Sequence, residues 1–176
     1  MRIEREETAA LVIDFQERLA PAVAEHEELM RQVWILLAGL RILKVPMIVT
    51  QQNTKGLGMS VPAIWEASGE NDFLEKITFS GFRTAEPLIR DKKYILVCGV
   101  EAHCCVLQTV IDLAAGGYVP VLVTDCIGSR KELDYKTAVK RAEQEGALLT
   151  TCEAVLFELL KEAGTPQFKE ILKLIK

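Results

Sequence analysis

Two adjacent cysteines, Cys104 and Cys105, lie where a predicted strand turns into a predicted helix. Residues 94–98 form an apolar run typical of a buried strand, Gly99 follows it, and apolar residues then recur at helical spacing up to position 113. The start of a helix carries unpaired backbone N–H groups and about half a positive charge. Such a position favours the thiolate, the reactive form of a cysteine, so this stretch predicts a nucleophile.

Two charged residues follow other predicted strands. Asp14 closes the apolar run at residues 9–13, and Lys76 closes a short run at residues 73–76. In an open parallel sheet, ligands bind beyond the carboxyl ends of the strands, so the fold would bring both residues to the edge that carries the cysteines. A reacting thiol needs a base to take its proton and a cation to hold its charge, and Asp and Lys suit these two roles.

Each of these residues also has a purely structural interpretation. An Asp after a strand often caps the next turn, a Lys is usually a solvated charge, and a Cys can be a small core residue. His103, in the same turn as the cysteines, could cap the helix. The functional interpretation therefore depends on the shared position of Asp14, Lys76 and a cysteine at strand ends.

The elements that must position these residues alternate between strand and helix. Apolar runs predict strands at residues 9–13, 45–51, 73–76, 94–98, 119–126 and 147–150, and helical spacing predicts helices at residues 25–44, 86–92, 106–113, 134–145, 154–162 and 168–175. This alternation predicts a three-layer α/β/α, Rossmann-like fold with a central, mostly parallel sheet of about six strands. Residues 54–70 contain Gly and Pro and predict an irregular loop, either a lid or a surface connection. Because no linker or repeat is present, we expect one domain over residues 1–176.

Composition excludes several classes of partner. The 176 residues are 49% hydrophobic and carry a formal net charge of -4 without a long run of one sign, which argues against nucleic acid. No apolar run approaches the roughly 20 residues that a membrane span needs. Five cysteines without a paired pattern and an acidic N-terminus without a signal peptide predict a cytoplasmic protein. With only two histidines and no glycine-rich phosphate motif, we predict neither a metal nor a cofactor.

Three stretches together carry a family resemblance. They are Leu-Val-Ile-Asp-Phe-Gln at residues 11–16, Lys-Ile-Thr-Phe-Ser-Gly-Phe at residues 76–82, and Gly-Val-Glu-Ala-His-Cys-Cys-Val at residues 99–106 followed by Gln108 and Thr109. On these motifs the chain resembles the isochorismatase-like cysteine hydrolases over essentially its whole length. Within that family it looks most like the branch of isochorismatase-domain-containing proteins.

The resemblance implies a role for each candidate residue. The family's nucleophile lies six residues after the glycine and directly before a valine, which is Cys105 here. By the same matching, Asp14 is the general base and Lys76 completes a triad. The family also has a cis peptide that would join Val100 to Glu101, and the backbone N–H groups of Glu101 and Cys105 would form an oxyanion hole. These parts imply nucleophilic acyl transfer through a thioester.

The resemblance also narrows the substrate. Nicotinamidases of this family bind a metal through Asp and His after the second strand, where this chain has Gln51, Gln52 and Asn53. Isochorismate hydrolases cleave a vinyl ether and need no cysteine nucleophile. The complete triad instead implies hydrolysis of a small-molecule amide or a related C–N bond by a homo-oligomer. The residues we expect to bind the substrate are Phe15, Gln16, Gln51, Trp65, Phe79, Phe82 and His103.

Two other hypotheses remain open from the sequence. The first is a non-catalytic binding or scaffold protein on the same fold, in which Cys105 would titrate near the free value of about 8.5. The second is a thiol redox role for Cys104 and Cys105, although adjacent cysteines form a disulfide only in a strained geometry.

Overall fold

Six strands form one central sheet. A computed structural model describes the whole chain, residues 1–176. Its strands are β1 (Thr8–Ile13), β2 (Met47–Gln52), β3 (Leu74–Lys76), β4 (Tyr94–Val100), β5 (Val119–Gly128) and β6 (Leu148–Thr150). The strand order is β3-β2-β1-β4-β5-β6, and every neighbouring pair is parallel. The predicted fold class is confirmed, with a sheet that is parallel throughout.

The chain also forms eight helices, seven of which cover the two faces of this sheet. They are α1 (His26–Leu43), α2 (Thr54–Leu57), α3 (Pro62–Ser68), α4 (Phe82–Ile89), α5 (Leu107–Ala115), α6 (Glu132–Gln144), α7 (Cys152–Leu160) and α8 (Pro166–Ile175). Helices α1, α3, α7 and α8 bury their apolar residues in one cluster, and α4, α5 and α6 bury theirs in a second cluster on the opposite face. None of these helices is long and apolar enough to cross a membrane.

The alternation of side chains along β4 explains why both layers are needed. Leu96, Cys98 and Val100 belong to one cluster, whereas Ile95 and Val97 belong to the other. All five side chains are at most 1% exposed. A parallel strand that is apolar on both faces is stable only when helices cover both faces. The unbroken apolar run in the sequence indicated such a strand.

The direction of chain progression through the sheet reverses between β1 and β4. The chain moves outward from β1 through β2 to β3, then crosses back to β4 and continues to β6. Ile13 at the end of β1 lies in register with Thr50 of β2 and Gly99 of β4. Such a reversal leaves a crevice at the carboxyl ends of the two central strands, and Asp14 and the turn after β4 flank it.

Residues 54–70 are not the irregular loop that the sequence predicted. They form helices α2 and α3, and α3 begins with Pro62, a residue suited to a first helical position. Ile64 and Ala67 of α3 are buried in the larger core cluster. Helices of four and seven residues are too short to show a helical period in the sequence, which explains why this prediction was wrong.

The helix predicted at residues 86–92 is α4, which begins and ends earlier. The N–H of Ala85 donates to the carbonyl of Gly81 at 3.1 Å and closes the first turn. Ala85 and Ile89 are the buried positions of this helix. The start of α4 therefore directly follows the segment that leads from Lys76 to Gly81.

Candidate active site

Asp14 is a fully buried carboxylate directly after β1. Its backbone is left-handed, with φ of 55°, and its N–H donates to the carbonyl of Thr50 at 3.2 Å. The hydroxyl of Thr50 donates to Oδ1 at 2.8 Å, and Lys76 Nζ donates to Oδ2 at 2.6 Å. A buried charge is costly unless it is paired and hydrogen-bonded, and both oxygens of Asp14 meet this condition.

Lys76 is a buried cation at the end of β3. Its side chain has no exposed surface, so the interpretation as a solvated charge is wrong. Besides Asp14, Nζ reaches the side-chain oxygen of Gln52 at 2.8 Å and the carbonyls of Phe79 at 2.8 Å and Thr78 at 3.2 Å. An ammonium has three protons, so these four acceptors leave none of them free. Lys76 therefore acts on its surroundings through its charge and its fixed position.

The turn after β4 brings a thiol to the same place. Gly99 has φ of 153°, and a Cβ at this position would lie 2.5 Å from Cβ of Ile13, so only glycine lets the ends of β1 and β4 approach this closely. The next peptide bond, between Val100 and Glu101, is cis, as the resemblance implied. A π-type turn over Ala102–Val106 then leads into α5.

Cys105 lies in this π turn and is 5% exposed. Its carbonyl accepts a hydrogen bond from the hydroxyl of Thr109 at 2.7 Å, and that hydroxyl in turn accepts from the N–H of Gly81 at 2.9 Å. This chain of hydrogen bonds connects the backbone of the thiol to the segment that leads from Lys76 into α4. The position of the thiol relative to the lysine is thereby fixed.

The electrostatic environment of Cys105 differs from the one that the sequence predicted. Burial, followed by the negative charge of Asp14, raises the pKa of the Cys105 thiol well above its usual range, although the charge of Lys76 opposes this shift. The expected thiolate at a helix start is wrong, because α5 begins only at Leu107 and the desolvated thiol lies beside a carboxylate. Cys104 is half-buried, and burial also raises its pKa. The site thus places a thiol of raised pKa next to a paired carboxylate.

Gln52 is a site residue that sequence reasoning missed. It lies opposite Lys76 in the register between β2 and β3. Its Oε1 accepts from Lys76 and lies 4.0 Å from Sγ of Cys105, while its Nε2 donates to the carbonyl of Ile77 at 2.7 Å. The rule that selected Asp14 and Lys76, a polar residue at the carboxyl end of a parallel strand, would also have selected Gln52.

Three residues expected to bind the substrate lie beneath the surface. Phe15 is a core residue, 1% exposed. Gln16 is fully buried, and its Nε2 donates to the carbonyls of Gln52 at 3.0 Å and Gly58 at 2.7 Å. Gln51 is also fully buried, and its Oε1 accepts from the N–H of Ser60 at 2.7 Å. These three side chains pack inside the protein, next to the ends of β1 and β2.

The other four expected substrate contacts lie in different places. Trp65 is in α3, where its Nε1 donates to the carbonyl of Ser60 at 3.1 Å, and Phe82 packs edge-on against Tyr118 with ring centroids 5.7 Å apart. Phe79 is 52% exposed and is joined to the site through its carbonyl, which accepts from Lys76. His103 lies half-buried in the cysteine turn.

The cysteine turn is held by the segment that follows β5. Nδ1 of His103 lies 3.0 Å from the hydroxyl of Ser129, so this histidine bonds to another segment and does not cap α5. The carboxylate of Glu101 accepts from the backbone N–H of Arg130 at 3.0 Å and from its Nε at 2.9 Å. The Glu101 side chain is 11% exposed. The start of the turn that carries Cys105 is therefore anchored.

The donor set at this site consists of one carboxylate, one ammonium, one carboxamide and one thiol. No group of three or more His, Cys, Asp or Glu side chains in the structure is arranged to hold a metal ion. A carboxylate and a cation placed against a thiol can move the proton of that thiol and stabilise the charge that results. This chemistry corresponds to activation of a nucleophile.

The comparisons of this chain with known proteins, by sequence and by structure, agree with one another. The model of the isochorismatase domain matches residues 8–154. Isochorismatase domain-containing protein 2 of Xenopus laevis is 35% identical over 169 residues, which cover 92% of this chain and 80% of that protein. The solved structure of the MAR1 ribonuclease of Caenorhabditis elegans superposes with a TM-score of 0.94 at 38% identity, covering 99% of this chain and 92% of that one.

A more distant structure shares the fold. The YcaC gene product of Escherichia coli, described as an octameric hydrolase of unknown specificity, superposes with a TM-score of 0.91 at 21% identity. The match covers 99% of this chain and 90% of that one. The family model spans most of the chain, and the relatives align over nearly all of it. The chain therefore belongs to the isochorismatase family.

Proposed function

We propose that this protein is a cysteine-dependent hydrolase of a small-molecule amide or a related C–N bond, with Cys105, Asp14 and Lys76 as a catalytic triad. The observation that carries this proposal is the buried ion pair of Asp14 and Lys76, joined at 2.6 Å and placed against the Cys105 thiol at three strand ends. A buried ion pair contributes little net stability compared with apolar residues of the same size. Its presence beside a nucleophile is therefore better explained by chemistry.

The proposed reaction proceeds through a thioester. As Sγ of Cys105 attacks the carbonyl carbon, the S–H bond breaks, Asp14 takes the proton, and the C=O π pair moves to the oxygen. When the oxyanion collapses, the C–N bond breaks and Asp14 returns the proton to the leaving nitrogen. Water then attacks the thioester with Asp14 as the base, which releases a carboxylic acid and restores the thiol. Because its pKa is raised, the thiol loses its proton during attack and not before it.

Lys76 stabilises the charges that develop during this cycle. Its ammonium holds the Asp14 carboxylate in place. Its positive charge also opposes the rise in the pKa of Cys105. We place the oxyanion at the backbone N–H groups of Glu101 and Cys105. The Glu101 N–H has no hydrogen-bond acceptor within the protein, which leaves it available to a substrate oxygen. Preorganised donors of this kind stabilise a transition state by about 3 kcal/mol each.

Phe79 and His103 are the expected substrate contacts that we retain. The exposed ring of Phe79 adjoins the segment whose carbonyls hold Lys76, and His103 lies two residues from Cys105 in the same turn. The deeper or more distant positions of Phe15, Gln16, Gln51, Trp65 and Phe82 favour structural roles for these residues.

We further infer a homo-oligomer in a reducing compartment such as the cytoplasm. The octameric state of the Escherichia coli relative supports the first inference. The five cysteines, all free, support the second, because Cys104 is half-buried and an accessible thiol persists where disulfides are kept reduced. Size-exclusion chromatography with light scattering measures the oligomeric state directly.

Incubation with a panel of small carboxamides, followed by intact-mass measurement, tests the proposed function. We expect an acyl adduct on the wild-type protein that maps to Cys105 after proteolysis, together with release of the amine. The Cys105→Ala variant should form no adduct and should show no turnover. Undiminished turnover by this variant would falsify the proposal, and a wild-type protein inert to the whole panel would favour the non-catalytic binding role.

A ribonuclease activity is the competing function, because the Caenorhabditis elegans relative carries that name. Cleavage of RNA needs cationic groups that face the phosphates, whereas Lys76 is buried and bonded to four acceptors. The net charge of -4 also disfavours a polyanion. Single-stranded RNA therefore belongs in the same panel, and its cleavage by wild type but not by Cys105→Ala would replace amide hydrolysis as the proposed activity.

A further inference from the structure

The side chain of Gln52 is held in one orientation beside the thiol. Its backbone N–H donates to Oε1 of Gln16 at 2.7 Å, which fixes the end of β2. Its Nε2 donates to the carbonyl of Ile77 at 2.7 Å. Because a carbonyl can only accept, this bond identifies the amide nitrogen and assigns the oxygen to the side that faces Lys76 and Cys105.

The oxygen of this carboxamide retains unused capacity as an acceptor. An amide oxygen has two lone pairs, and one of them receives Lys76 Nζ at 2.8 Å. Its other neighbour is Sγ of Cys105 at 4.0 Å, a distance at the limit of a hydrogen bond to sulfur. A neutral acceptor thus lies next to the nucleophile with one lone pair available to a stronger donor.

The other polar groups of the site have different tasks in the proposed cycle. The oxygens of Asp14 already receive Thr50 and Lys76, and this carboxylate is needed for the proton of the thiol. The ammonium of Lys76 is itself a donor with all three protons in use. A substrate that brings an N–H close to Sγ therefore meets Gln52 as its partner, whereas an ester oxygen would face the lone pair of Gln52 without a hydrogen bond.

We propose that Gln52 determines substrate specificity by accepting a hydrogen bond from the N–H of the scissile amide. The site would then take primary and secondary carboxamides in preference to esters and to amides without an N–H. This inference rests on the proposed hydrolase function. No proton is transferred to Gln52, since the leaving nitrogen receives its proton from Asp14.

The inference can be tested by comparing the turnover of an amide with that of an ester that has the same acyl group. Replacement of Gln52 by Met removes the acceptor at similar size, and Gln108→Met, an exposed position on α5, is the matched control. We expect Gln52→Met to lower the ratio of kcat/KM for amide over ester by about 10-fold, the usual effect of one lost hydrogen bond. The control should keep the wild-type ratio. An equal loss on both substrates would mean that Gln52 only positions Lys76, and this result overturns the inference.

Alkylation of Cys105 provides a second measurement that needs no turnover. 2-Chloroacetamide has N–H groups and 2-chloro-N,N-dimethylacetamide has none, and both reagents alkylate a thiol with loss of chloride. With rates scaled to those of glutathione, wild type should prefer the first reagent several-fold and Gln52→Met should show no preference. A wild-type protein without preference overturns the inference. If no amide acylates Cys105 but the alkylation preference is present, the hydrolase proposal fails and carboxamide recognition by Gln52 stands.

Discussion

Two regions of this molecule place an aspartate beside a buried thiol, and only one of them has a cation. The first is the Asp14 group, which consists of Asp14, Lys76 and Cys105. The second is the Asp125 group, which consists of Asp125, Cys126 and Cys152. Oδ1 of Asp125 accepts from the N–H of Cys152 at 2.7 Å, and both cysteines of this second group are fully buried.

The electrostatic difference between these groups lies in one buried cation, Lys76. Burial raises the pKa of Asp125, and burial together with Cys152 raises the pKa of Cys126 well above its usual value. No cation opposes either shift, so the neutral forms are favoured. In the Asp14 group the same burial acts on Cys105, but the charge of Lys76 opposes it. Burial thus raises the pKa of the thiol in both groups, and only Cys105 has a buried cation that opposes part of this shift.

The cavity next to the Asp125 group would suggest the opposite assignment. A cavity of about 450 Å³ lies next to the Asp125 group, lined by residues of α1, the end of β5 and the start of α6. Cys105, in contrast, is 5% exposed. The proposed site therefore rests on the arrangement of its side chains and not on the volume of a surface cavity.

The strongest test of the comparison removes one thiol from each group. We expect Cys105→Ala to lower turnover of the amide identified in the panel by about 10⁴-fold, because the nucleophile is lost. Cys126→Ala should leave turnover within about 2-fold and lower the free energy of unfolding by about 1–2 kcal/mol, because it leaves a small void in the core. Steady-state kinetics and urea denaturation measure these effects. A comparable loss of turnover in both variants would remove the distinction between the groups.

Replacement of Asp14 by Asn should separate catalysis from thiol acidity. Turnover should fall by about 10²–10⁴-fold because the base is lost. The negative charge of Asp14 raises the pKa of Cys105, so its removal should lower that pKa and make alkylation by iodoacetamide at pH 8 faster. Rates of alkylation against pH check the sign of this shift. Asp125→Asn is the control and should alter neither quantity, while slower alkylation of Asp14→Asn would contradict the charge assignment.

Removal of the cation should destabilise the protein. Lys76→Met leaves Asp14 buried without its ion-pair partner, and we expect a loss of about 3–5 kcal/mol in the free energy of unfolding. The double variant Asp14→Asn with Lys76→Met removes both charges and should lose less than Lys76→Met alone. Urea denaturation of the two single variants and the double variant measures the coupling. Strictly additive losses would show that the two side chains do not stabilise each other.

The smallest effect is expected for Asp125→Asn, measured as stability against pH. The pKa of Asp125 is raised in the folded protein, so folding favours its neutral form, and wild type loses this contribution as the pH rises through the folded pKa. Asn cannot ionise and can still accept from Cys152. The variant should therefore gain stability relative to wild type between pH 3 and pH 7, by less than about 1 kcal/mol, since half-exposed groups are screened by water. A relative loss over this range would be the contrary result.

Much of the fold could be predicted because it follows from local patterns. The apolar runs that became β1, β4 and β5 are buried on both faces, and their spacing from the helices implies parallel crossovers. Helices α2 and α3 could not be predicted, because seven residues or fewer do not display a period, and α3 is stabilised by its packing against α1.

The candidate site could be predicted only in part. Strand ends alone pointed to Asp14 and Lys76, and the same rule applied to β2 would have added Gln52. Aromatic type, in contrast, was a poor guide to the pocket. Phe15 packs in the core, and Phe82 packs against the ring of Tyr118. A sequence does not reveal whether an aromatic side chain points into the core or toward a pocket.

By itself, the sequence determined the parallel sheet, the strand ends that carry Asp14, Lys76 and the cysteines, and the family. Only the tertiary structure decided the partners of these groups and the direction in which the pKa of Cys105 shifts. That pKa is raised, and not lowered as at a helix start, because it depends on burial and on the distance to Asp14 and Lys76, which come from other strands. Desolvation and Coulomb energy depend on positions in space, and residue order does not specify them.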